Sequence, residues 1–123
     1  MDKYLLLAKN AIERLYDRTC DVVERQAVID DKNKRTDYKE IIVLEAQKCR
    51  ISYKNISSSN QSETINNITQ EIKLFISPDI KIKEGSKIIV KKGNSIETYK
   101  NSGIPAIYDT HQEIVLESFK GWA

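Results

Sequence analysis

The group in this sequence best suited to acid–base chemistry lies near its end, around the single histidine, His111. Strict alternation along an extended strand would place Asp109, His111 and Glu113 on one face, where they could polarise a water molecule. No nucleophile or second base accompanies these residues in the sequence. We therefore favour a structural role for His111, as a hydrogen-bonded residue at the start of the last strand, over a small hydrolase built on it.

The motifs of common enzyme and metal sites are absent from the sequence. It contains no glycine-rich phosphate loop, no pair of histidines spaced for a metal, no nucleophile elbow and no CxxC. Cys20 and Cys49 are too few and too far apart for a zinc site, and we expect both to be reduced and buried. The sequence thus predicts a protein that is not an enzyme and that has no catalytic residue, metal or cofactor.

Two groups of residues could bind nucleic acid, and each has a simpler interpretation. Tyr99, Tyr108 and Phe119 could stack on bases, as in an oligonucleotide-binding barrel, although aromatic residues in strands more often pack in the core. A net charge of only +2 argues against avid, nonspecific binding. The most basic stretch is more simply a solvated strand edge guarded by lysines, namely Lys81, Lys83, Lys87, Lys91, Lys92 and Lys100.

Residues 1–17 are predicted to form an amphipathic helix. The apolar run at residues 4–8 is too short for a signal peptide or a membrane span, so we expect a cytosolic protein. The length of 123 residues corresponds to one domain. Apolar residues recur at helical spacing along one stripe of the helix, which contains Leu5, Leu7, Ala8, Ala11, Ile12 and Leu15.

From Thr19 onward the periodicity becomes that of strands, and we predict a β domain at residues 18–123. Residues 20–29 form the first strand and residues 38–53 a long, bulged second strand. The segment at residues 54–67 is rich in Ser and Asn and has no periodicity, so it is predicted to be a long polar loop.

The second half of the chain continues as short strands with turn residues between them. An alternating strand follows the loop, and Gly93 and Asn94 form a tight hairpin turn between two further strands. Gly103 and Pro105 interrupt the chain before a last strand at residues 106–119. This order predicts a mainly β fold, a small antiparallel β-barrel preceded by one α-helix.

Four segments of the sequence share a pattern of residues with one known family. They read TCDVVE at Thr19, IVLEAQKCRISY at Ile42, TQEIKLFISPDIKIKEGSKIIV at Thr69 and YKNSGIPAIYDTHQEIVLESFKGWA at Tyr99. Together they look like the head-closure, or stopper, proteins in the neck of tailed phages and phage-like elements. The ending is the most specific of the four, and the N-terminal helix matches the family less clearly.

The resemblance implies a virion structural protein of the head–tail connector that is made in the cytoplasm of a bacterial host. Such a protein is a β-barrel subunit of a homo-oligomeric ring, a dodecamer or a hexamer, around the DNA exit channel. The ring lies between the portal or adaptor ring and the tail terminator or tail tube, and it seals in the genomic DNA without reading its sequence. The resemblance implies no contact with a membrane.

The resemblance also implies a loop that reaches into the channel, and by position the segment at residues 54–67 is the candidate. Hydroxyl and amide groups suit a seal that must later release DNA, because a dense row of lysines would bind the phosphates too tightly. The predicted channel residues are Lys54, Asn55, Ser57, Ser58, Ser59, Asn60, Gln61 and Ser62.

A subunit of a ring needs contacts that repeat from one copy to the next. Trp122, one residue from the end, either folds back onto its own chain or lies in a partner, and we favour the partner because such aromatic residues are enriched at interfaces. Three alternatives remain open, which are an adaptor or tail terminator, an oligonucleotide-binding barrel, and the hydrolase. The predicted interface residues are Leu5, Ile12, Leu15, Phe119 and Trp122.

Overall fold

The structure is a computed structural model, and it describes residues 3–29, 31–32, 34–57 and 68–122. One helix, α1 (Lys3–Glu13), precedes all of the strands. The strands are β1 (Arg18–Ile29), β2 (Thr36–Ser57), β3 (Ile68–Ile76), β4 (Lys87–Lys92), β5 (Ser95–Asn101), β6 (Ala106–Ile107) and β7 (Gln112–Ser118). In the described part of the chain, no helix is both long and apolar enough to cross a bilayer.

The strands are antiparallel and form a closed sheet. The order of neighbouring strands in the sheet is β3, β2, β1, β4, β5 and β7. Strand β7 also pairs with β3, so the sheet closes on its first strand. The short β6 pairs with β7 at Gln112 and Glu113. The predicted fold class, mainly β with one N-terminal helix, is confirmed.

The core lies inside the closed sheet and follows the period-two alternation of its strands. Cys49 and Ile51 of β2, Leu74 and Ile76 of β3, and Ile114 and Leu116 of β7 all face inward. The remaining members of this apolar cluster are Cys20, Val22, Ile82, Ile88, Val90 and Tyr99. Both cysteines are free and fully buried, as predicted.

Two buried amide side chains hold the segment between β3 and β4 against this core. Asn101 donates from Nδ2 to the carbonyls of Ile82 and Lys83, at 3.3 and 3.2 Å. Gln112 donates from Nε2 to the carbonyl of Ser77 at 2.7 Å and also to that of Ile80. Since a buried carbonyl without a donor destabilises the fold, these amides replace the strand pairing that the segment lacks.

The predicted bulge in β2 lies where that strand crosses β1. Cys20 pairs with Gln47 but Val22 pairs with Leu44, so β2 contains one extra residue there. Ala46 accordingly has a φ of +52°, a left-handed conformation that an L-residue adopts only under constraint. Asp21 supplies the constraint, since its Oδ1 accepts from the Ala46 N–H at 2.9 Å while its Oδ2 accepts from Lys91 Nζ at 2.9 Å.

Beyond the bulge the hairpin of β1 and β2 leaves the closed sheet. Residues 24–29 of β1 and 36–43 of β2, which we call the arm, pair with each other and with no other described strand. Three large apolar side chains of the arm are more than half exposed, namely Ile29 at 68%, Tyr38 at 60% and Ile42 at 57%. The arm is therefore a two-stranded ribbon with both edges open.

Three predicted boundaries were wrong. The helix ends at Glu13 rather than at residue 17, because the chain tightens through a bond from the Tyr16 N–H to the Glu13 carbonyl before β1 begins. The polar loop does not start at Lys54, because antiparallel pairing with β3 continues β2 through Ser57. The last strand is divided into β6 and β7 by a turn in which the Tyr108 N–H donates to the His111 carbonyl at 2.8 Å.

Candidate functional site

The predicted channel segment begins on paired strands that extend past the closed sheet. Lys54 and Asn55 are exposed on β2, opposite Glu71 and Gln70 of β3. Ser57 is the last residue of β2. The other predicted channel residues, Ser58, Ser59, Asn60, Gln61 and Ser62, lie outside the described residues, so their role in a channel stays a prediction.

A hydrogen-bonded cluster that the sequence reasoning missed joins β2 to β5 next to this segment, at Tyr53. Glu97 accepts from Tyr53 Oη at 2.8 Å and from Tyr99 Oη, and the two phenol oxygens are 3.2 Å apart. These bonds, first from Tyr99 and then from Tyr53, hold the pKa of Glu97 below its usual range. Burial, followed by the bond to Glu97, raises the pKa of Tyr99. The cluster ties β2 to β5 and keeps a carboxylate ionised in a half-buried position.

His111 has the hydrogen bonds expected of a structural residue. Its Nε2 is 3.1 Å from Glu113 Oε2, and its Nδ1 is 3.1 Å from the Thr110 hydroxyl. Its ring stacks on Tyr108 with centroids 4.9 Å apart and an interplanar angle of 19°. Asp109 is exposed and makes no described contact with His111, because the turn before β7 breaks the alternation that predicted all three residues on one face.

The three aromatic residues considered as a stacking platform lie in separate surroundings. Tyr99 is buried inside the closed sheet, Tyr108 lies against His111, and Phe119 packs edge-on against Trp122 with centroids 5.1 Å apart. A base-stacking surface needs rings that share one exposed face. The structure therefore does not bring these residues together.

The lysine-rich stretch is largely neutralised within the chain. Lys91 and Lys92 each lie 2.9 Å from an aspartate, Asp21 and Asp17 respectively. The pKa of Lys91 is raised by its hydrogen bond to Asp21. Lys83, Lys87 and Lys100 pair with Glu24, Glu40 and Glu117 at 3.7, 3.3 and 3.6 Å. Of the six lysines, only Lys81 has no ion pair among the described residues, which favours the guarded-edge interpretation over a phosphate-binding row.

The C-terminal tail folds back onto its own chain. Trp122 donates from Nε1 to Glu40 Oε1 at 2.8 Å, and Lys87 lies 3.3 Å from the same oxygen and 4.9 Å from the Phe119 ring. The tail thereby covers the base of the arm. The favoured interface role of Phe119 and Trp122 stays a prediction, and any such role must start from this intramolecular contact.

The three predicted interface residues in the N-terminal segment differ in their exposure. Leu5 and Ile12 are half-buried, whereas Leu15 is 62% exposed. Ile12 and Leu15 line a cleft of about 210 Å³ at the end of α1, where the helix meets the outer face of the sheet at Phe75 and His111. Lys9 pairs with Asp79 further along the helix. The helix thus touches the rest of the chain at these points, contains no buried residue and leaves apolar side chains such as Leu7, at 58%, exposed.

Comparison with known proteins yields a match in fold. No protein-family model matches the chain, and no curated protein matches it. The solved structure of protein xkdH of the phage-like element PBSX from Bacillus subtilis superposes with a TM-score of 0.51 at 15% sequence identity. The match covers 82% of this chain and 93% of that chain. At this identity the similarity concerns the fold.

Proposed function

We propose that this chain is a structural component of a tailed phage or phage-like element, the head-closure ring of its head–tail connector. The observation that carries the proposal is the shared fold with a protein of a phage-like element over most of both chains. The resemblance of the ending, from Tyr99 onward, to head-closure proteins supports the same role. In this role the ring seals the DNA exit channel and joins the portal or adaptor ring to the tail.

The closed sheet provides a rigid body from which a channel segment can project. Strands β2 and β3 continue in register past the core, from Ile51 paired with Leu74 to Ser57 paired with Ile68. The polar segment that follows them would meet the DNA. Its hydroxyl and amide groups would bind phosphate through neutral hydrogen bonds, which release fewer counterions than lysines and so allow the DNA to leave.

The partners in this proposal are proteins above and below the ring and the genomic DNA inside it. Five lysines of the basic stretch form ion pairs within the chain. In this proposal the ring therefore does not bind DNA mainly through these lysines. A circle of identical contacts would build the ring, since head-to-tail contacts that repeat with the right rotation close on themselves.

Deleting the gene from the element that encodes it tests the role directly. We expect filled heads that lose their DNA and tails that stay unattached, and we expect the chain itself in purified wild-type particles by mass spectrometry. Particles that contain the chain but position it in the tail by labelled electron microscopy would favour a tail terminator. Infectious particles without the chain would contradict the proposal.

Replacing residues 58–67 tests the seal. A short Gly-Ser turn in their place should spare folding, because stability depends only weakly on loop length, and packaged DNA should leak from the heads. A Gly-Ser segment of the original length is the matched control, and it separates the reach of the segment from its hydroxyl and amide chemistry. Full retention of DNA with the short turn would place the seal elsewhere.

A further inference from the structure

One face of the arm carries exposed apolar side chains and is only partly covered. Paired residues of an antiparallel hairpin point to the same side, so the pairs of Ile42 with Val23 and of Tyr38 with Ala27 share this face with Ile29. The charged pair of Glu40 with Arg25 lies on the same face, between the two apolar pairs. The base of this face is covered by the chain's own tail, through the bond from Trp122 to Glu40. In the outer part, Ile29 is 68% exposed, and Tyr38 is 60% exposed although Arg25 lies over its ring.

An uncovered ribbon of this kind needs support. Two-stranded hairpins are marginally stable at best in water, and an open, apolar strand edge is a template for pairing with another chain. The opposite face of the arm is more polar, with Gln26 and Lys39 between the pairs that contain Ile41 and Val28. The apolar outer face and the open edges are therefore the surfaces that a partner would cover.

A second uncovered surface lies around β6. Ile104 is 92% exposed, Ile107 is 67% exposed and Tyr108 is 51% exposed. Within the described residues, β6 pairs with β7 along one edge and its other edge is open. The β6 segment, residues 104–109, thus offers the same combination as the arm, apolar side chains beside an unpaired strand edge.

The two surfaces cannot meet within one chain. The arm extends from β1 and β2, whereas β6 is attached to β7, which is separated from β1 by β4 and β5 on one side and by β2 and β3 on the other. They therefore lie on opposite sides of the closed sheet. Two different surfaces on opposite sides of a subunit are the requirement for a head-to-tail contact, which closes into a ring when the rotation allows it.

The charges of the two surfaces have opposite signs. Arg25 lies on the same face of the arm as Ile29 and Tyr38, and its guanidinium carbon is 4.5 Å from the centroid of the Tyr38 ring. The acidic residue of that face, Glu40, is already held in an ion pair within the chain, so the outer part of the face carries a positive charge. The β6 segment contains Asp109 and no basic residue, so its net charge is −1. This difference favours the arm of one copy on the β6 segment of another and disfavours arm against arm.

We propose that the arm of one copy docks on the β6 segment of a second copy, with Ile29 and Tyr38 packing against Ile104 and Ile107. An edge strand of the arm pairs with the open edge of β6, so the contact combines main-chain hydrogen bonds with apolar burial, as in strand addition. The choice of a second copy rests on the proposed ring. The contact deepens that proposal by naming the two surfaces that build the ring.

Mixing two variants of the full chain tests this contact. The arm variant carries Ile29→Ser and Tyr38→Ser, and the segment variant carries Ile104→Ser and Ile107→Ser. Each alone should stay monomeric by analytical ultracentrifugation, with its association constant reduced about 10- to 100-fold, the effect of removing central apolar anchors. An equimolar mixture should form a two-chain complex and nothing larger, because one intact arm then meets one intact segment. Wild type should form larger assemblies.

Ile96→Ser is the matched control, since Ile96 is 64% exposed on β5 and belongs to neither surface. It should assemble like wild type. The proposal is wrong if either double variant assembles like wild type, if the mixture stays monomeric, or if wild type stays monomeric up to about 1 mM, the weak end of specific association. Each double variant must first give the far-ultraviolet circular dichroism spectrum of wild type, so that a monomeric mixture reports a missing contact and not an unfolded variant.

The same variants separate this proposal from the proposed function. If the double variants assemble normally on the isolated chain while gene deletion still yields leaking heads, the contact is wrong and the neck role stands. If they complement as described but the chain is absent from purified particles, the contact stands and the neck role is wrong.

Discussion

Where β1 lies between β2 and β4 it buries Cys20 and Val22 completely, whereas a few residues further along the same strand Ile29 is 68% exposed. Backbone pairing with β2 is shifted at the bulge and then continues through Ile29, so both parts are paired with β2. The closed sheet and the arm therefore do not differ in whether their strands are hydrogen-bonded. They differ in whether their apolar side chains are buried. The arm is the part of this hairpin whose stability depends on what lies beside it.

The largest difference in the free energy of unfolding should come from truncating one apolar side chain in the closed sheet and one in the arm. Leu74→Ala, in the fully buried core, should lower the free energy of unfolding by about 2–5 kcal/mol. Ile29→Ala, in the arm, should change it by less than about 0.5 kcal/mol in the monomer, because the side chain is already in water. Urea denaturation of both variants measures the difference, and equal losses would mean that the arm is part of the folded core.

The bulge that joins the closed sheet to the arm should depend on the charged side chain of Asp21 for its stability. Asp21→Ala removes the acceptor of the Ala46 N–H and the partner of Lys91, and we expect a loss of about 1.5–3 kcal/mol, the range for hydrogen bonds to charged groups. Asp37→Ala, on the exposed arm, is the control and should stay within about 0.5 kcal/mol of wild type. Thermal unfolding of the two variants compares the sites.

Acid should weaken the same junction. The Ala46 N–H and then Lys91 hold the pKa of Asp21 below its ordinary value of 3.8. A carboxyl whose pKa is lower in the folded state contributes stability above the unfolded pKa, and this contribution is lost as the pH falls through the folded pKa. Wild type should therefore lose more stability than Asp21→Asn on acidification below 3.8. Parallel pH profiles of the two proteins would contradict this explanation.

Truncating a polar side chain should also cost more stability in the closed sheet than in the arm. Asn101→Ala would leave the carbonyls of Ile82 and Lys83 without a donor in a buried position, and we expect a loss of about 1–3 kcal/mol. Gln26→Ala, on the exposed arm, removes only a 3.4 Å contact to Glu24 and should have little effect. A tolerated Asn101→Ala would show that the segment between β3 and β4 is held by its apolar contacts alone.

The smallest expected effect is a gain. Ala46→Gly relieves the left-handed backbone at the bulge and should stabilise the protein by up to about 1 kcal/mol, less the greater freedom of glycine in the unfolded chain. Ala27→Gly, in the arm and without a positive φ, should not stabilise it. If both glycines have the same effect, the bulge is not strained.

Local patterns predicted the elements of this fold well. The change from helical to strand periodicity near Thr19 and the Gly93–Asn94 turn between β4 and β5 both appear in the structure. The pairing of β7 with β3, which closes the sheet, depends on residues far apart in sequence and has no local signal. The buried Gln112 likewise gave no signal, since its role follows from carbonyls that only the fold brings near it.

The candidate contact surfaces were harder to predict from the sequence than the strands and turns. The arm reads as ordinary strand, because an exposed Ile29 and a buried Val22 have the same pattern in one dimension. The position of Trp122 against Glu40 was one of two outcomes considered and not the favoured one, since a contact across this sequence separation depends on how the whole sheet folds. The exposed Ile107 was predicted to lie in a last strand that the structure divides, and Ile104 lies in the interruption at Gly103 and Pro105 that precedes it.

Hydrogen exchange of backbone amides most directly tests the claim that the arm is completed by a neighbouring copy. In the monomer, amides of residues 24–29 and 36–43 should exchange rapidly, while those of Val22, Cys49 and Leu74 should exchange at the rate of global unfolding. On assembly, the amides of the arm and of residues 106–107 should become protected together. Strong protection of the arm in the monomer, or an assembly that leaves the arm unprotected, would contradict the account.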